Sequence, residues 1–134
     1  MLVAEDDEAD RLMLEAAAST AGLRSELRFV PDGESALDYL FREGAYASTD
    51  AAPRPYLVLL DVNLPRMNGR AVVAEMRECI ETRYLPVVLM STAQHREEVR
   101  ASLAAGANAV IVKPGDLGAL SRALRAIESM WLEV

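Results

Sequence analysis

Short apolar runs alternate along this chain with longer segments in which apolar residues recur at helical spacing. Five runs rich in Val, Leu and Ile, namely Met1–Ala4, Leu27–Val30, Leu57–Leu60, Val87–Met90 and Ala109–Val112, read as strands. Between and after them the periodic segments Asp10–Thr20, Glu34–Arg42, Arg70–Ile80, Glu97–Ala105 and Leu117–Leu132 read as helices, with Gly22, Gly44 and Gly106 as stop signals. Strand and helix alternating five times predicts βαβ units, hence an α/β domain with a mainly parallel sheet. Four of the runs are apolar throughout, as expected for strands covered on both faces, whereas Arg28 in the second run fits a sheet edge. The small residues and prolines of Gly44–Pro55 predict a surface loop or a frayed helical extension. No internal repeat or second domain is visible, so residues 1–134 are expected to form one domain without an output domain.

Composition narrows the function classes. The 134 residues are 51% hydrophobic, yet no apolar run approaches the ~20 residues of a spanning helix. Acidic residues (21) outnumber basic ones (14) and give a net charge of −7, the wrong sign for a domain that grips nucleic acid phosphates. The single cysteine, Cys79, excludes an internal disulfide, and no targeting segment is visible, which predicts a reducing compartment, the cytoplasm.

In an open parallel sheet with right-handed crossovers, the carboxyl ends of the strands share one edge, where ligands bind. The residues that follow the apolar runs therefore belong together: Glu5, Asp6 and Asp7 after the first, Asp61 after the third, Ser91 and Thr92 after the fourth, Lys113-Pro114 after the fifth. Singly, each Asp or Ser is most simply an N-cap or turn residue, and Lys113 a solvated lysine. Together, carboxylates converging from two strands repel one another in a partly desolvated cleft, so a positive charge has to lie among them. Oxygen-only donors suit a hard divalent ion, and few protein ligands with room for water suit Mg²⁺. Asp61, at the end of a central strand, is the carboxylate best placed as a nucleophile, with Lys113 and Ser91 holding oxygens of a transferred phosphoryl group.

These residues carry a resemblance. Glu5-Asp6, the run Asp61-Val62-Asn63-Leu64-Pro65-x-Met67-x-Gly69, Pro86 through Ser91, Gly106-Ala107 and Val112-Lys113-Pro114, in that order, resemble the receiver domains of response regulators, the CheY-like module of two-component signalling, over essentially the whole chain. The resemblance implies a doubly wound, flavodoxin-like sheet of order 2-1-3-4-5 with five helices. It implies that Asp61 accepts a phosphoryl group from a histidine kinase, which makes the protein a phospho-acceptor rather than an enzyme. It further implies that Asp6 ligates the metal directly, Glu5 through water and Asn63 by its backbone carbonyl, that Mg²⁺ is the ion with Mn²⁺ able to substitute, and that Lys113 binds phosphate. The Lys113–Pro114 bond matches one that members often hold cis. Ser91 lies 30 residues after Asp61 and 22 before Lys113, a family spacing that assigns it the phosphate-binding hydroxyl. Thr92 then takes the neighbouring position, where its bulk is expected to slow water's approach.

One departure is sharp: Val110 stands where many receivers carry a switching Tyr or Phe, leaving hydroxyl movement and a shift of the loop after Ser91 to report phosphorylation. Pro53-Arg54-Pro55, the Leu64–Gly69 run and the ending Ile127–Leu132 resemble small stand-alone regulators paired with phytochrome-type histidine kinases. In the last segment Leu117, Leu120, Leu124 and Ile127 form a core-facing stripe. A helix over Leu117–Leu132 spans roughly 24 Å, more than the about 17 Å of the strands beneath it, so Met130, Trp131 and Leu132 are expected to overhang as an apolar patch. Related receivers often pair through the fourth helix, fifth strand and fifth helix, which predicts a homodimer there with Trp131 as an anchor; the competing placement folds Trp131 over its own domain. Three other functions compete. An aspartyl-phosphate phosphatase or phosphotransferase needs a second acid where Asn63 stands, a flavin carrier needs a Ser/Thr-rich phosphate loop after the first strand, and a degenerate scaffold would lack the chemical residues present here.

Overall fold

The computed structural model describes residues 1–48, 50–92 and 95–132. In chain order the elements are β1 (Leu2–Ala4), α1 (Glu8–Ala21), β2 (Arg28–Val30), α2 (Gly33–Phe41), a 3-10 turn (Gly44–Tyr46), β3 (Val58–Asp61), α3 (Gly69–Glu78), β4 (Val87–Ser91), α4 (Arg96–Ala105), β5 (Ala109–Val112) and α5 (Leu117–Leu132). All strand pairs are parallel and the order is β2-β1-β3-β4-β5, the expected doubly wound sheet. Residue 49 of the Gly44–Pro55 loop and residues 93 and 94 after Ser91 lie outside the described residues.

The alternation of side chains along each strand divides the core in two. Leu2, Ala4, Val58, Leu60, Val87 and Leu89 pack on one face with Ala36 and Leu40 of α2 and Val72, Val73 and Met76 of α3. Val3, Leu59, Val88 and Met90 pack on the other with Leu14 and Ala17 of α1 and Leu120, Leu124 and Ile127 of α5. Helix starts are set by side-chain caps: Asp7 accepts the Asp10 N–H, Asp32 the Ser35 N–H, Asn68 the Ala71 N–H and Asp116 the Ala119 N–H. The Asp7 side chain is thus a helix cap.

Four expectations shift. Helix α2 stops at Arg42, which adopts the left-handed conformation itself, and Gly44 opens the 3-10 turn instead. Strand β5 is not covered on both faces; as the second edge it is only half-buried, and Val112 is exposed. Leu117 is 40% exposed, since the first turn of α5 precedes the covered part of the sheet, whereas Leu120, Leu124 and Ile127 are buried as predicted. Trp131 follows Ile127 on the same stripe, is half-buried and packs against the α1/α5 core, leaving Met130 and Leu132 as the exposed members of the patch.

Two close approaches hold the frame. A Cβ on Gly69 would lie 2.5 Å from the Asp61 carbonyl oxygen, so glycine lets α3 start against the end of β3. The second is a buried polar staple. Glu128 of α5, in the apolar stripe between Ile127 and Trp131, accepts the Arg24 and Ser25 N–H groups at 3.1 and 3.0 Å and the Ser25 hydroxyl, which also meets the Tyr56 hydroxyl at 2.9 Å. Burial pushes the Glu128 carboxyl up, but these donors outweigh it and hold its pKa below the ordinary value.

A depressed folded-state pKa means stability that is present above the ordinary carboxylate pKa and is lost as pH falls below it. Glu128→Gln is expected to lower stability near neutral pH by on the order of 2 kcal/mol, and the gap in Tm from the parent should narrow as pH drops from about 5 to about 3. Gly69→Ala should cost about 1–3 kcal/mol in urea unfolding, because the new methyl meets backbone that cannot swing aside.

Candidate functional site

The shared carboxyl edge gathers the predicted polar residues from four strands. β1 runs into Glu5, β3 ends at Asp61, β4 ends at Ser91 and β5 is followed by Lys113. Register places Asp61 beside Met90 and Ser91 beside Val112, and the Lys113 backbone N–H donates to the Ser91 carbonyl at 2.8 Å, extending the β4–β5 ladder to the site.

The Lys113 ammonium stands at the centre. It donates to Glu5 Oε1 at 2.7 Å, to Asp10 Oδ2 at 2.7 Å and to Asp61 Oδ2 at 2.9 Å. An ammonium has three N–H donors, so all are engaged. Lys113 therefore supplies positive charge among the converging carboxylates and is no solvated surface lysine. Burial alone would lower its pKa, but the hydrogen bonds to Asp10, Glu5 and Asp61 outweigh that and hold it above the ordinary lysine value. Glu5 is 1% exposed, and burial raises its carboxyl pKa against the opposing hydrogen bonds from Lys113 and the Asp7 N–H. Asp61 is buried too; its Oδ1 accepts the Asn63 N–H at 2.9 Å while Oδ2 takes Lys113.

The other predicted residues sit around this cluster. Ser91 is buried at the end of β4. Thr92 is exposed and lines a cavity of about 300 Å³ together with Asp10 and Lys113. Asn63 and Asp6 are exposed, and the Asp6 carboxylate lies outside the lysine cluster. No peptide bond is cis among the described residues, so Lys113–Pro114 is trans here. Val110 is half-buried against the α2/α3 core.

Among the described residues no three His, Cys, Asp or Glu side chains form a ready metal cage. The donor chemistry nonetheless fits a hard divalent ion. Glu5, Asp10 and Asp61 carry three negative charges against one ammonium, with Asp6 adjacent in sequence, and every available ligand atom is oxygen. A cation held at Glu5 and Asp61 would have to share them with Lys113.

Asp10 is the residue that sequence reasoning passed over, because the helix was expected to begin at it. α1 begins two residues earlier, at Glu8, which puts Asp10 in the first turn and within reach of the sheet edge. The signal was available: Asp7 followed three residues later by another acid, at the spacing of a capped first turn.

Comparison with known proteins agrees with this geometry. Residues 1–125 match the family described as response regulator receiver domain. Response regulator Rcp1 of Synechocystis sp. is 35% identical over 133 residues, spanning 99% of this chain and 88% of that protein. The crystal structure of its Mn²⁺-bound form superposes with a TM-score of 0.83 at 34% identity, covering 99% of this chain and 94% of the other. The phosphorylated cyanobacterial phytochrome response regulator RcpA gives 0.86 at 35% identity, over 98% of this chain and 91% of that one. Response regulator RPA3017, in red light signaling of R. palustris, gives 0.93 at 37% identity, over 98% and 92%. The chain belongs to the response regulator receiver domains, whose general role is to be phosphorylated by a partner kinase and which bind a divalent metal.

Proposed function

We propose that Asp61 is the phospho-acceptor, and that the donor is the phosphohistidine of a sensor histidine kinase of phytochrome type. The observation that carries this reading is the Lys113 ammonium lodged between Glu5 and Asp61, with the second Asp61 oxygen held by the Asn63 N–H. A carboxylate oxygen of Asp61 attacks phosphorus, the N–P bond of the phosphohistidine breaks, and the imidazole leaves and takes a proton. Lys113 then holds one phosphoryl oxygen in place of Asp61 Oδ2, and the Ser91 hydroxyl holds another. Glu5, Asp6, Asp61 and the Asn63 carbonyl are the residues that would hold the ion, Mg²⁺ with Mn²⁺ as substitute; once bound, it offsets the charge of the carboxylates and of the incoming phosphoryl group. That Rcp1 has been solved in a Mn²⁺-bound form supports a divalent ion here. Asn63 gives Asp61 a backbone N–H and no second acid, which speaks against a phosphatase acting on other substrates.

The protein so read assists its own phosphorylation and dephosphorylation, Thr92 crowding the water that would hydrolyse the acyl phosphate. The receiver signals by surface contact, in the cytoplasm, where the single Cys79 stays reduced. The contact is a homodimer through α4, β5, α5 and the C-terminal end. Leu103, Val112, Leu117 and Met130, each at least 40% exposed, support that face, with half-buried Trp131 framing it.

Acetyl phosphate with Mg²⁺ should add one phosphoryl group by mass spectrometry, lost in Asp61→Asn or on chelation; label on Asp6 or Asp10 instead would overturn the assignment. Lys113→Ala leaves Glu5 buried with only the Asp7 N–H, so in metal-free buffer it should unfold with a loss of about 3 kcal/mol. Mg²⁺ should raise its Tm more than it raises the parent's, because the ion meets no competing ammonium. Sedimentation at micromolar concentration should show a dimer on phosphorylation that Leu103→Lys and Trp131→Ala weaken; a phosphorylated parent that stays monomeric removes the dimer.

A further inference from the structure

One carboxylate in the cluster has no part in the phosphoryl chemistry just described. We infer that Asp10 is a positioning residue that retains the Lys113 ammonium when a divalent ion takes Glu5 and Asp61, and that it thereby sets the affinity of the site for the ion. The inference rests on the reading of Glu5, Asp61 and Lys113 given above.

Lys113 and an entering ion compete for the same two carboxylates. Glu5 and Asp61 are the carboxylates that Lys113 occupies and also the ones that the ion needs. An ammonium without another partner would have to give up its charge-assisted hydrogen bonds to water as the ion enters, and that loss would be charged against metal binding. Asp10 removes the difficulty, because its oxygen is already 2.7 Å from the ammonium, as near as Glu5 and nearer than Asp61 at 2.9 Å.

The three partners differ in freedom. Glu5 is 1% exposed and its other oxygen is tied to the Asp7 N–H, so it cannot follow a moving lysine. The Asp10 side chain is 39% exposed on the first turn of α1, and its backbone is anchored by the Asp7 cap. The space for movement exists: Asp10 and Lys113 line the same cavity of about 300 Å³, together with Leu14, Met90 and Leu120. Support of the helix dipole does not account for Asp10, since Glu8 already places an acid in that turn without reaching the lysine.

The test is a set of Mg²⁺ titrations by isothermal calorimetry on the parent, Asp10→Asn, Asp10→Glu, Lys113→Ala and the Asp10→Asn/Lys113→Ala double variant, with Lys113→Met replacing the alanine where that variant does not fold. Asp10→Asn is expected to weaken Mg²⁺ binding about threefold to fivefold, the scale of a partly exposed ion pair. Asp10→Glu should recover most of the loss. In the Lys113→Ala background Asp10→Asn should change nothing, because the residue acts through the lysine. Equal affinity of the parent and Asp10→Asn overturns the inference, and so does a weakening that persists without Lys113, which would make Asp10 a through-space charge only. A parent that binds no Mg²⁺ and takes no phosphoryl group from acetyl phosphate overturns the functional reading as well, whereas a parent that does both beside an unaltered Asp10→Asn overturns this inference alone.

Discussion

A parallel sheet forces like charges together, and the Lys113 ammonium is what makes that tolerable. Three carboxylates arrive from three elements, Glu5 after β1, Asp10 from α1 and Asp61 from β3, and each lies within 2.9 Å of one nitrogen. The topology that puts every strand's carboxyl end on one edge also puts these acids there. Without a counter-charge burial would favour protonation of Glu5, whose pKa is already raised. One ammonium cannot neutralise three carboxylates, and the residual negative charge is what suits the edge to a divalent cation. The acceptor reading and the affinity for metal thus share one electrostatic cause.

The frame holds Asp61 from its backbone outward. Gly69 lets α3 start almost in contact with the Asp61 carbonyl and donates its N–H to the Val62 carbonyl at 3.0 Å, while the Asn63 N–H fixes one carboxylate oxygen. A glycine that looks like turn punctuation therefore positions the chemistry. Gly33 has the same character one loop away, since a Cβ there would overlap the Met67 carbonyl oxygen, and the Arg66–Glu34 and Arg66–Asp32 ion pairs join the same two loops. The β3–α3 loop that carries Asn63 is held from both sides.

What the sequence made legible was whatever depends on period and order. Strand runs of four residues, helices at 3.6-residue spacing and the sequence of polar residues after each run were enough to place Glu5, Asp61, Ser91 and Lys113 on one edge, where the structure has them. What it hid depends on exact boundaries and on pairing across the fold. A helix start earlier by two residues separates Asp10 as an ordinary helical acid from Asp10 as a partner of Lys113. Glu128 was hidden for a similar reason: its place in the stripe of Leu124, Ile127 and Trp131 says that it faces inward, but only the fold brings the Arg24 and Ser25 N–H groups to meet it, 104 and 103 residues away along the chain. Trp131 was placed by helix and strand length alone, a comparison that leaves out the partly buried side chains packed with it against the same core, Leu23 and Leu27 among them.

The distribution of ties over the helices bears on how such a domain signals without an aromatic switch. Against α1, α5 is bound by the Ser121 hydroxyl on the Ala17 carbonyl and by Arg125 on the Ala21 carbonyl, besides the Glu128 staple. Helix α4 is held differently. Its C-terminal half is tied to α3, through Arg70 to Ser102 and Arg77 to the Gly106 carbonyl, whereas His95 at its start makes no side-chain cap, and Ser102 is its one buried residue. The weakly held end is the one that follows Ser91 in the chain, and β5 beside it is a half-buried edge strand whose ladder reaches Lys113 through the Ser91 carbonyl. Segments with few buried contacts open at the lowest free-energy cost. Ser91 and Lys113, proposed above to meet the phosphoryl oxygens, therefore adjoin a face with fewer described ties than the stapled α1–α5 layer, and Val110 carries no ring there.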